Sequence, residues 1–246
     1  MIAAEDTRHT LKLLNHLGIK KPLISYYKEQ EKIKSDILID RLLKGENIAI
    51  VSDAGTPIIS DPGEEITREA IEKNLEVISI PGPCALITGV IASGMNAREF
   101  LFMGFLPVNK KEKRAKIEEI RNIKKTIIFY EAPHKLIATL TTLQEILGDR
   151  YITLARELTK IHEEYLRGNI SEIITSCAAP KGEYVIIIEG AKTNAIEEMS
   201  AFLNQLTLEE HYKFYEEKNY ERKQIIKQIA KDRNVSKNEI YKHFIK

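Results

Sequence analysis

The chain has 246 residues, of which 43% are hydrophobic and 30% charged, and its formal net charge is +1. This composition predicts a globular protein with a core and excludes collagen-like and intrinsically disordered chains. No apolar run reaches the length of a membrane span and the first residues lack a signal-peptide pattern, so a cytoplasmic protein is expected. Cys84 and Cys177 stand far apart without metal-ligand spacing, which predicts two reduced thiols and no metal site.

The first half of the chain alternates short apolar runs with amphipathic segments. Strands are predicted at 1–4, 23–26, 48–51 and 77–80, and helices at 7–17, 35–44, 64–73 and 85–92. The leucines of the first helix and Ile71 of the third are expected to face a core, and the fourth helix is apolar almost all round, which predicts burial. Such alternation indicates a mostly parallel α/β sheet.

The second half has strands that are less regularly separated by helices, which predicts a mixed sheet. Strands are predicted at 100–103, 126–130, 151–154, 164–167 and 183–189, and helices at 111–122, 135–147 and 171–178. After Gly190 nothing strand-like remains, and three short helices are expected at about 195–203, 220–233 and 237–244. The predicted domains are therefore an N-terminal α/β domain (1–96), a second α/β domain (97–191) and a basic helical C-terminal region (192–246).

Positive charge is concentrated in two segments. Residues 109–125 carry eight Lys or Arg against three acidic residues, and residues 211–246 carry ten against five. Segregated positive charge can steer a polyanion such as nucleic acid. Two solvated helix faces would give the same pattern, and both interpretations stay open.

Three turns rich in Pro and Gly follow predicted strands. They have the sequences SDAGTPIISDPG (52–63), IPGPCA (80–85) and YEAPHK (130–135). Because ligands bind beyond the carboxyl ends of the strands in open α/β sheets, these stiff loops predict the walls of one crevice. Walker A, Gly-x-Gly-x-x-Gly, His-Glu-x-x-His and Gly-x-Ser-x-Gly motifs are all absent from the sequence, which removes the best support for the nucleotide, metalloprotease and serine hydrolase classes.

Six segments together carry a specific resemblance to a known family. They are AEDTRHTLKLLNHLGI (4–19), VSDAGTPIISDPG (51–63), IPGPCALITGVIASG (80–94), FMGFLP (102–107), FYEAPHKL (129–136) and ARELTKIHEEYLRG (155–168). In this order they resemble the ribosomal RNA small subunit methyltransferase I family, and the resemblance covers nearly the whole chain. It implies the tetrapyrrole methylase fold, with two α/β domains and S-adenosylmethionine in the cleft between them. It also implies 2′-O-methylation of a cytidine ribose in small-subunit (16S) rRNA by a homodimer.

The resemblance also implies which residues face the ligands. The expected cofactor contacts are Ser52, Asp53, Ala54, Gly55, Thr56, Pro81, Gly82, Pro83, Cys84, Ala85, Tyr130, Glu131, Ala132 and Pro133. Expected near the rRNA substrate are Arg8, Arg156, Lys160, Lys110, Lys111 and Arg114. Glu5, Asp6 and Glu157 are the candidate bases for the 2′-hydroxyl proton, although Glu5 and Asp6 could equally cap a helix N-terminus.

Two departures from the family pattern carry expectations of their own. Cys84 stands where the family usually has serine, which removes a hydroxyl group but keeps the size. The family also has about one further β-loop-α unit before AEDTR, of the ~30-residue scale of such units. Because that unit helps to cradle the cofactor, weak cofactor binding is expected for this chain.

Two other functions are compatible with the same residues. A tetrapyrrole methylase would share the fold, but the basic segments and AEDTRHT favour RNA as the substrate. A non-catalytic rRNA-binding assembly factor would share the basic segments. Transfer of a labelled methyl group to isolated ribosomal subunits separates all three hypotheses.

Overall fold

A computed structural model describes residues 1–177, 180–192 and 195–244. The chain divides into two units, Met1–Gly190 and Ala191–Lys246. The first unit contains two β-sheets, and the second is helical. No helix in the described part of the chain is long and apolar enough to cross a membrane.

The first sheet has three parallel strands. They are β1 (Ile2–Ala4), β2 (Leu23–Ser25) and β3 (Ala49–Val51), in the order β2-β1-β3. Ile2 lies opposite Leu23 on one side and Ala49 on the other. The helices of this part are α1 (Thr7–His16), α2 (Glu31–Leu43) and α3 (Glu64–Glu72). Leu38 and Ile39 of α2 and Ile66 of α3 form a core with Ala3 and Tyr26. Each strand therefore delivers a loop to the same sheet edge.

Several predictions for this region are wrong. Residues 77–80 form no strand, and Ile78 and Ile80 are 68% and 77% exposed. A strand needs a neighbour to receive its backbone hydrogen bonds, and within the described residues β3 pairs with β1 alone. Of the four leucines in the predicted helix 7–17 only Leu14 is buried, and Ile71 of α3 is exposed. The hydrophobic periodicity of the sequence identified the apolar faces of these segments but not which elements cover them.

The second sheet has five strands and is mixed. They are β4 (Phe100–Phe105), β5 (Thr126–Glu131), β6 (Tyr151–Arg156), β7 (Glu164–Asn169) and β8 (Tyr184–Ile188), in the order β4-β5-β8-β6-β7. Only the pair β4 and β5 is parallel. One parallel sheet followed by one mixed sheet is the predicted fold class.

Both faces of the second sheet are covered, which explains why β8 is apolar without alternation. On one face α5 (Lys110–Glu119), α6 (Leu136–Leu147) and α7 (Ile170–Ser176) enclose the largest core of the chain. The prediction for α7 extended to residue 178, which lies outside the described residues. On the other face lies α4 (Ala85–Ser93), through Leu86 and Val90.

The helix α4 approaches the second sheet closely because it has a glycine at the contact. A Cβ on Gly89 would lie 3.2 Å from Cγ1 of Val185. The opposite side of α4 is open, with Ile87 and Ile91 43% and 72% exposed. The prediction of burial all round is therefore wrong for that side. Since α4 packs on β8, it brings the loop 80–85 to the second sheet.

The second unit contains four helices within its described residues, one more than predicted. They are α8 (Ala195–Gln205), α9 (Leu208–Glu216), α10 (Arg222–Asp232) and α11 (Lys237–Phe244). Thr207 and Glu210 form a capping box at the start of α9. Buried His211 lies 3.2 Å from Asp232, and Tyr215 donates to the same carboxylate at 2.6 Å. These contacts pair the polar groups that lie beside the apolar core of this unit. That core includes Leu203, Ile225, Ile229 and Ile240.

Candidate active site

A cavity of about 330 Å³ lies where β1, β3, β4, β5 and β6 end and β8 begins. This volume is at the lower end of the range for small-molecule sites. The lining residues are Glu5, Asp53, Ala54, Gly55, Thr56, Ile59, Ser60, Asp61, Cys84, Ala85, Phe105, Tyr130, Glu157, Leu158, Lys160, Glu183, Tyr184 and Val185. Loops from both sheets therefore meet around one space, with apolar residues and carboxylates on its walls.

The structure brings only part of the predicted site to this cavity. Ten predicted residues line it: Glu5, Asp53, Ala54, Gly55, Thr56, Cys84, Ala85, Tyr130, Glu157 and Lys160. Outside the lining are Asp6, Arg8, Ser52, Pro81, Gly82, Pro83, Lys110, Lys111, Arg114, Glu131, Ala132, Pro133 and Arg156. Most of the second group lies one residue or one turn away from the first.

The loop 52–63 after β3 holds an unusual backbone path. Gly55 has φ +78° and Gly63 has φ +136°, and the non-glycine residues Ile58 and Ser60 have φ +77° and +72°. A β-branched residue in this region is a true outlier, and such strain is concentrated at functional sites. The strained segment contributes Ile59, Ser60 and Asp61 to the cavity wall.

The loop 80–85 packs directly on the loop after β3. The Thr56 hydroxyl donates to the carbonyl oxygen of Pro83 at 2.8 Å. A Cβ on Gly55 would lie 3.4 Å from that same carbonyl oxygen. The two Pro/Gly loops therefore form one continuous wall, and Pro83 supports it from behind the lining residues.

Glu5 and Asp53 brace the ends of β1 and β3 against each other. The Asp53 amide donates to the Glu5 carboxylate at 3.0 Å, and the Asp6 amide donates to the Asp53 carboxylate at 3.1 Å. Reciprocal bonds of this kind fix two loops that are far apart in sequence. Both carboxylates therefore have a structural task as well as a position in the cavity.

Asp6 is the N-cap of α1. Its carboxylate accepts from the Arg8 amide at 2.8 Å and forms an ion pair with the Arg8 guanidinium at 2.6 Å. The hydrogen bonds from Arg8 hold the pKa of Asp6 well below its usual range. The capping interpretation of Asp6 is the one that this geometry supports, since so weak a base accepts protons poorly.

Tyr130 forms the aromatic wall of the cavity. Its hydroxyl accepts a hydrogen bond from the Leu86 amide at 3.0 Å, and its ring packs edge-on against Phe102 and Phe105. Burial raises the pKa of Tyr130 to about 12, so the phenol stays neutral. The ring therefore joins the start of α4 to the ends of β4 and β5.

Glu131 belongs to a buried network beside the cavity. Its carboxylate accepts from the Thr139 hydroxyl at 2.6 Å and from the Ala132 amide at 2.9 Å. The Lys113 ammonium donates to the same hydroxyl at 2.9 Å, and both charged residues are buried. This network ties α5 to α6 and to the end of β5, which makes Glu131 a support of the Tyr130 wall.

The loop between β6 and β7 contributes a charged pair. The Lys160 ammonium lies 3.1 Å from the Glu157 carboxylate, and Glu157 has φ +46°. Arg156 at the end of β6 forms an ion pair at 2.5 Å with Glu164, which lies opposite it at the start of β7. Of the residues predicted to contact substrate, Lys160 alone reaches the cavity lining.

Asp61 and Glu183 are lining residues that the sequence analysis did not single out. Asp61 stands in the turn Ser60-Asp61-Pro62-Gly63, where an acidic residue is explained by turn chemistry alone. Burial raises the pKa of Asp61 to about 6, and repulsion from Glu5, Glu183 and Asp53 adds to the effect. The sequence analysis predicted the loop of Asp61 as a wall, but only the folded arrangement brings Asp61 and Glu183 beside Glu5 and Asp53, so no local signal identifies these two carboxylates individually.

The family comparison establishes the fold independently. Residues 1–174 match the family model described as Tetrapyrrole (Corrin/Porphyrin) Methylases. The solved structure of the methyltransferase CobJ has a TM-score of 0.53 at 15% identity, covering 77% of this chain and 93% of its own. Uroporphyrin-III C-methyl transferase from Thermus thermophilus, solved with S-adenyl homocysteine, has a TM-score of 0.51 at 14% identity, with coverages of 76% and 84%. The predicted fold class is confirmed.

Membership of this methylase family confirms S-adenosylmethionine as the cofactor. The residues of the cavity fit such a ligand. The positive φ of Gly55 leaves backbone open to a close approach, and Ile59, Leu158 and Val185 offer apolar surface. Neighbouring carboxylates can accept hydrogen bonds from hydroxyl and amino groups and attract a sulfonium cation.

Curated relatives resolve the family further. A protein of Halalkalibacterium halodurans named ribosomal RNA small subunit methyltransferase I is 45% identical over 98% of this chain and 83% of its own length. The protein of that name from Bacillus subtilis is 44% identical with the same coverages. The resemblance of the six sequence segments is thereby confirmed. The chain belongs to the tetrapyrrole methylase family and, within it, to the ribosomal RNA small subunit methyltransferase I proteins.

Proposed function

We propose that this chain transfers a methyl group from S-adenosylmethionine to the 2′-hydroxyl of a cytidine ribose in small-subunit (16S) rRNA. The observation that carries the proposal is the 45% identity, over 98% of the chain, to a relative whose name states an rRNA methyltransferase. The cavity supports it, since carboxylates and apolar groups from two sheets surround a space of ligand size.

Different walls of the cavity would contact different parts of the cofactor. The backbone of Asp53, Ala54 and Gly55 would hold its polar groups, and Ile59 and Val185 would cover its apolar surface. The bound cofactor supplies an electrophilic methyl group on a sulfonium sulfur. The stiff Pro/Gly loops hold the pocket in shape, and alignment of two reactants can contribute up to ~7–11 kcal/mol to lowering a barrier.

The N-terminus of α5 is the best candidate contact for RNA phosphates. Lys110 and Lys111 are exposed there, and four residues separate Lys110 from the end of β4 at the cavity edge of the sheet. The helix dipole disfavours cations at this end, so the two lysines oppose local stability. Residues that lower local stability in this way are expected at functional sites.

Most other cations of α5 are already paired. Arg114 forms an ion pair with Glu145 at 2.5 Å, and Lys116 forms one with Glu119 at 2.8 Å. In the described part of the chain no ion pair involves Lys110 or Lys111. RNA binding through this helix would therefore depend mainly on its first two residues. Arg114 could bind a phosphate only after its ion pair with Glu145 has broken.

The second unit offers further positive charge. Lys223, Lys227 and Lys231 are spaced four residues apart along α10 and are exposed. This spacing places them on one helix face. We propose that this face adds electrostatic affinity for rRNA, which makes binding of the subunit fall with salt.

We further propose that the protein acts as a homodimer in the cytoplasm, where its rRNA substrate would be. Apolar residues that the described fold leaves open support self-association: Ile91 is 72% exposed and Ile161 is 97% exposed. Light scattering after size exclusion should give twice the chain mass of 28.1 kDa. A mass of one chain across micromolar concentrations would contradict the dimer.

Labelled methyl transfer tests the proposed reaction against its rivals. Isolated small subunits, deproteinised rRNA and a porphyrinoid are each incubated with the protein and methyl-labelled cofactor. Label in RNA of the subunits supports the proposal. Label in the porphyrinoid alone would indicate a tetrapyrrole methylase, the activity in the family description, and subunit binding without label would indicate an assembly factor.

A further inference from the structure

The reaction needs an acceptor for the proton of the 2′-hydroxyl, and most carboxylates around the cavity are occupied. Glu5 and Asp53 accept backbone hydrogen bonds that brace β1 against β3. Glu157 is paired with Lys160. If one of these three carboxylates took up the proton, contacts that hold the loops in place would be weakened.

Asp61 has a different environment. It is half-buried on the strained loop after β3 and lines the cavity, and within the described residues no cation pairs with it. The groups that face it are the carboxylates of Glu5, Asp53 and Glu183, the phenol of Tyr130 and the hydroxyl of Ser52. The three carboxylates disfavour a further negative charge in the same space, whereas the hydrogen bond from the Ser52 hydroxyl favours the ionised form of Asp61.

We propose that Asp61 is the general base of the methyl transfer, a role that rests on the proposed 2′-O-methylation. The 2′ O–H bond breaks and its proton moves to the Asp61 carboxylate. The 2′ oxygen forms a bond to the methyl carbon, and the electron pair of the methyl–sulfur bond remains on sulfur as the neutral thioether. The positive charge of the sulfonium is thus lost together with the negative charge of Asp61.

The environment of Asp61 suits this task. Its pKa is raised to about 6 by burial and by the neighbouring carboxylates, so it is ionised at neutral pH and still holds a proton better than an ordinary aspartate. A base whose pKa lies near the working pH is the most effective. The phenol of Tyr130 and the aliphatic Ile59 line the same cavity.

The test compares Asp61→Asn, Asp61→Glu and Glu183→Gln with the wild-type full chain on isolated small subunits. Asp61→Asn should lower kcat by about 10²–10⁴-fold and remove the rise of kcat with pH, which in the wild type should occur at or below about pH 6. Asp61→Glu should keep the acid limb at a reduced rate. Calorimetry should show binding of S-adenosylhomocysteine by Asp61→Asn within about threefold of wild type, since asparagine keeps the size of the side chain and this ligand has no sulfonium charge for a carboxylate to attract.

The possible results test the assignment of Asp61 and the proposed function separately. Full kcat in Asp61→Asn, or loss of the acid limb in Glu183→Gln instead, overturns the assignment while the proposed function stands. Loss of S-adenosylhomocysteine binding in Asp61→Asn would also overturn it, because Asp61 would then act in binding. Absence of methyl transfer by the wild type overturns the proposed function and the assignment with it.

Discussion

Substitution of Asp61 by asparagine should stabilise the folded protein at neutral pH. The pKa of Asp61 is raised from 3.8 to about 6, so the folded state binds more protons than the unfolded state between these values. The free energy of unfolding therefore falls as pH rises from about 4 to 6, and the full penalty is present above pH 6. Asparagine keeps the shape and carries no charge to desolvate.

The expected size follows from the shift. Each pH unit corresponds to about 1.36 kcal/mol, which sets an upper limit of about 3 kcal/mol. Because Asp61 is only half-buried, solvent screening reduces this to about 1–2 kcal/mol. Asp61→Asn should thus exceed the wild type by about 1–2 kcal/mol at pH 7.5 and equal it near pH 3.5, where both side chains are neutral.

Urea unfolding at several pH values measures this difference, with two control variants. Asp149→Asn should behave oppositely, because hydrogen bonds from Ser171 lower the pKa of Asp149; this stabilisation is present at neutral pH and is lost as pH falls through the lowered pKa. Asp36→Asn changes an exposed carboxylate of α2 and should leave stability unchanged. Equal or lower stability of Asp61→Asn at pH 7.5 would show that the Asp61 carboxylate does not destabilise the folded protein.

Three further substitutions test other parts of the structure. Gly55→Ala strains a residue at φ +78° by about 1–2 kcal/mol and should weaken S-adenosylhomocysteine binding about tenfold by calorimetry; unchanged affinity would argue against this wall as a cofactor contact. Lys110→Glu with Lys111→Glu should lower affinity for small subunits and reduce the salt slope by about 2, whereas an unaltered slope would exclude them as phosphate contacts. Thr139→Val removes the hydroxyl between Glu131 and Lys113 and should cost about 1–3 kcal/mol in urea unfolding; a neutral result would mean that the network is not required for stability.

Elements whose burial is decided locally could be predicted from the sequence. The strand β5 is an apolar run that both layers of helices cover, and its bounds agree with the prediction to one residue. The N-cap Asp6 and the turn at Gly55 follow from local chemistry as well. In these places one short segment contains all the information that its structure needs.

Features that depend on distant partners could not be predicted in this way. Residues 77–80 have a strand-like pattern, but hydrogen bonding to a neighbouring strand decides whether a strand forms. Glu131, at the end of β5, is linked through the Thr139 hydroxyl to Lys113, which comes from helix α5. The pKa of Asp61 is raised in part by carboxylates that are up to 122 residues away in sequence. Such sites appear only when the loops of both sheets are placed together.

The position of the transferred methyl group is the most direct test of the proposed 2′-O-methylation of cytidine. Small subunits that lack the modification are incubated with the protein and labelled S-adenosylmethionine, and the rRNA is digested to nucleosides for mass spectrometry. A cytidine 2′-O-methyltransferase should place the label in 2′-O-methylcytidine alone. Label on a base, or on the ribose of another nucleoside, would contradict it.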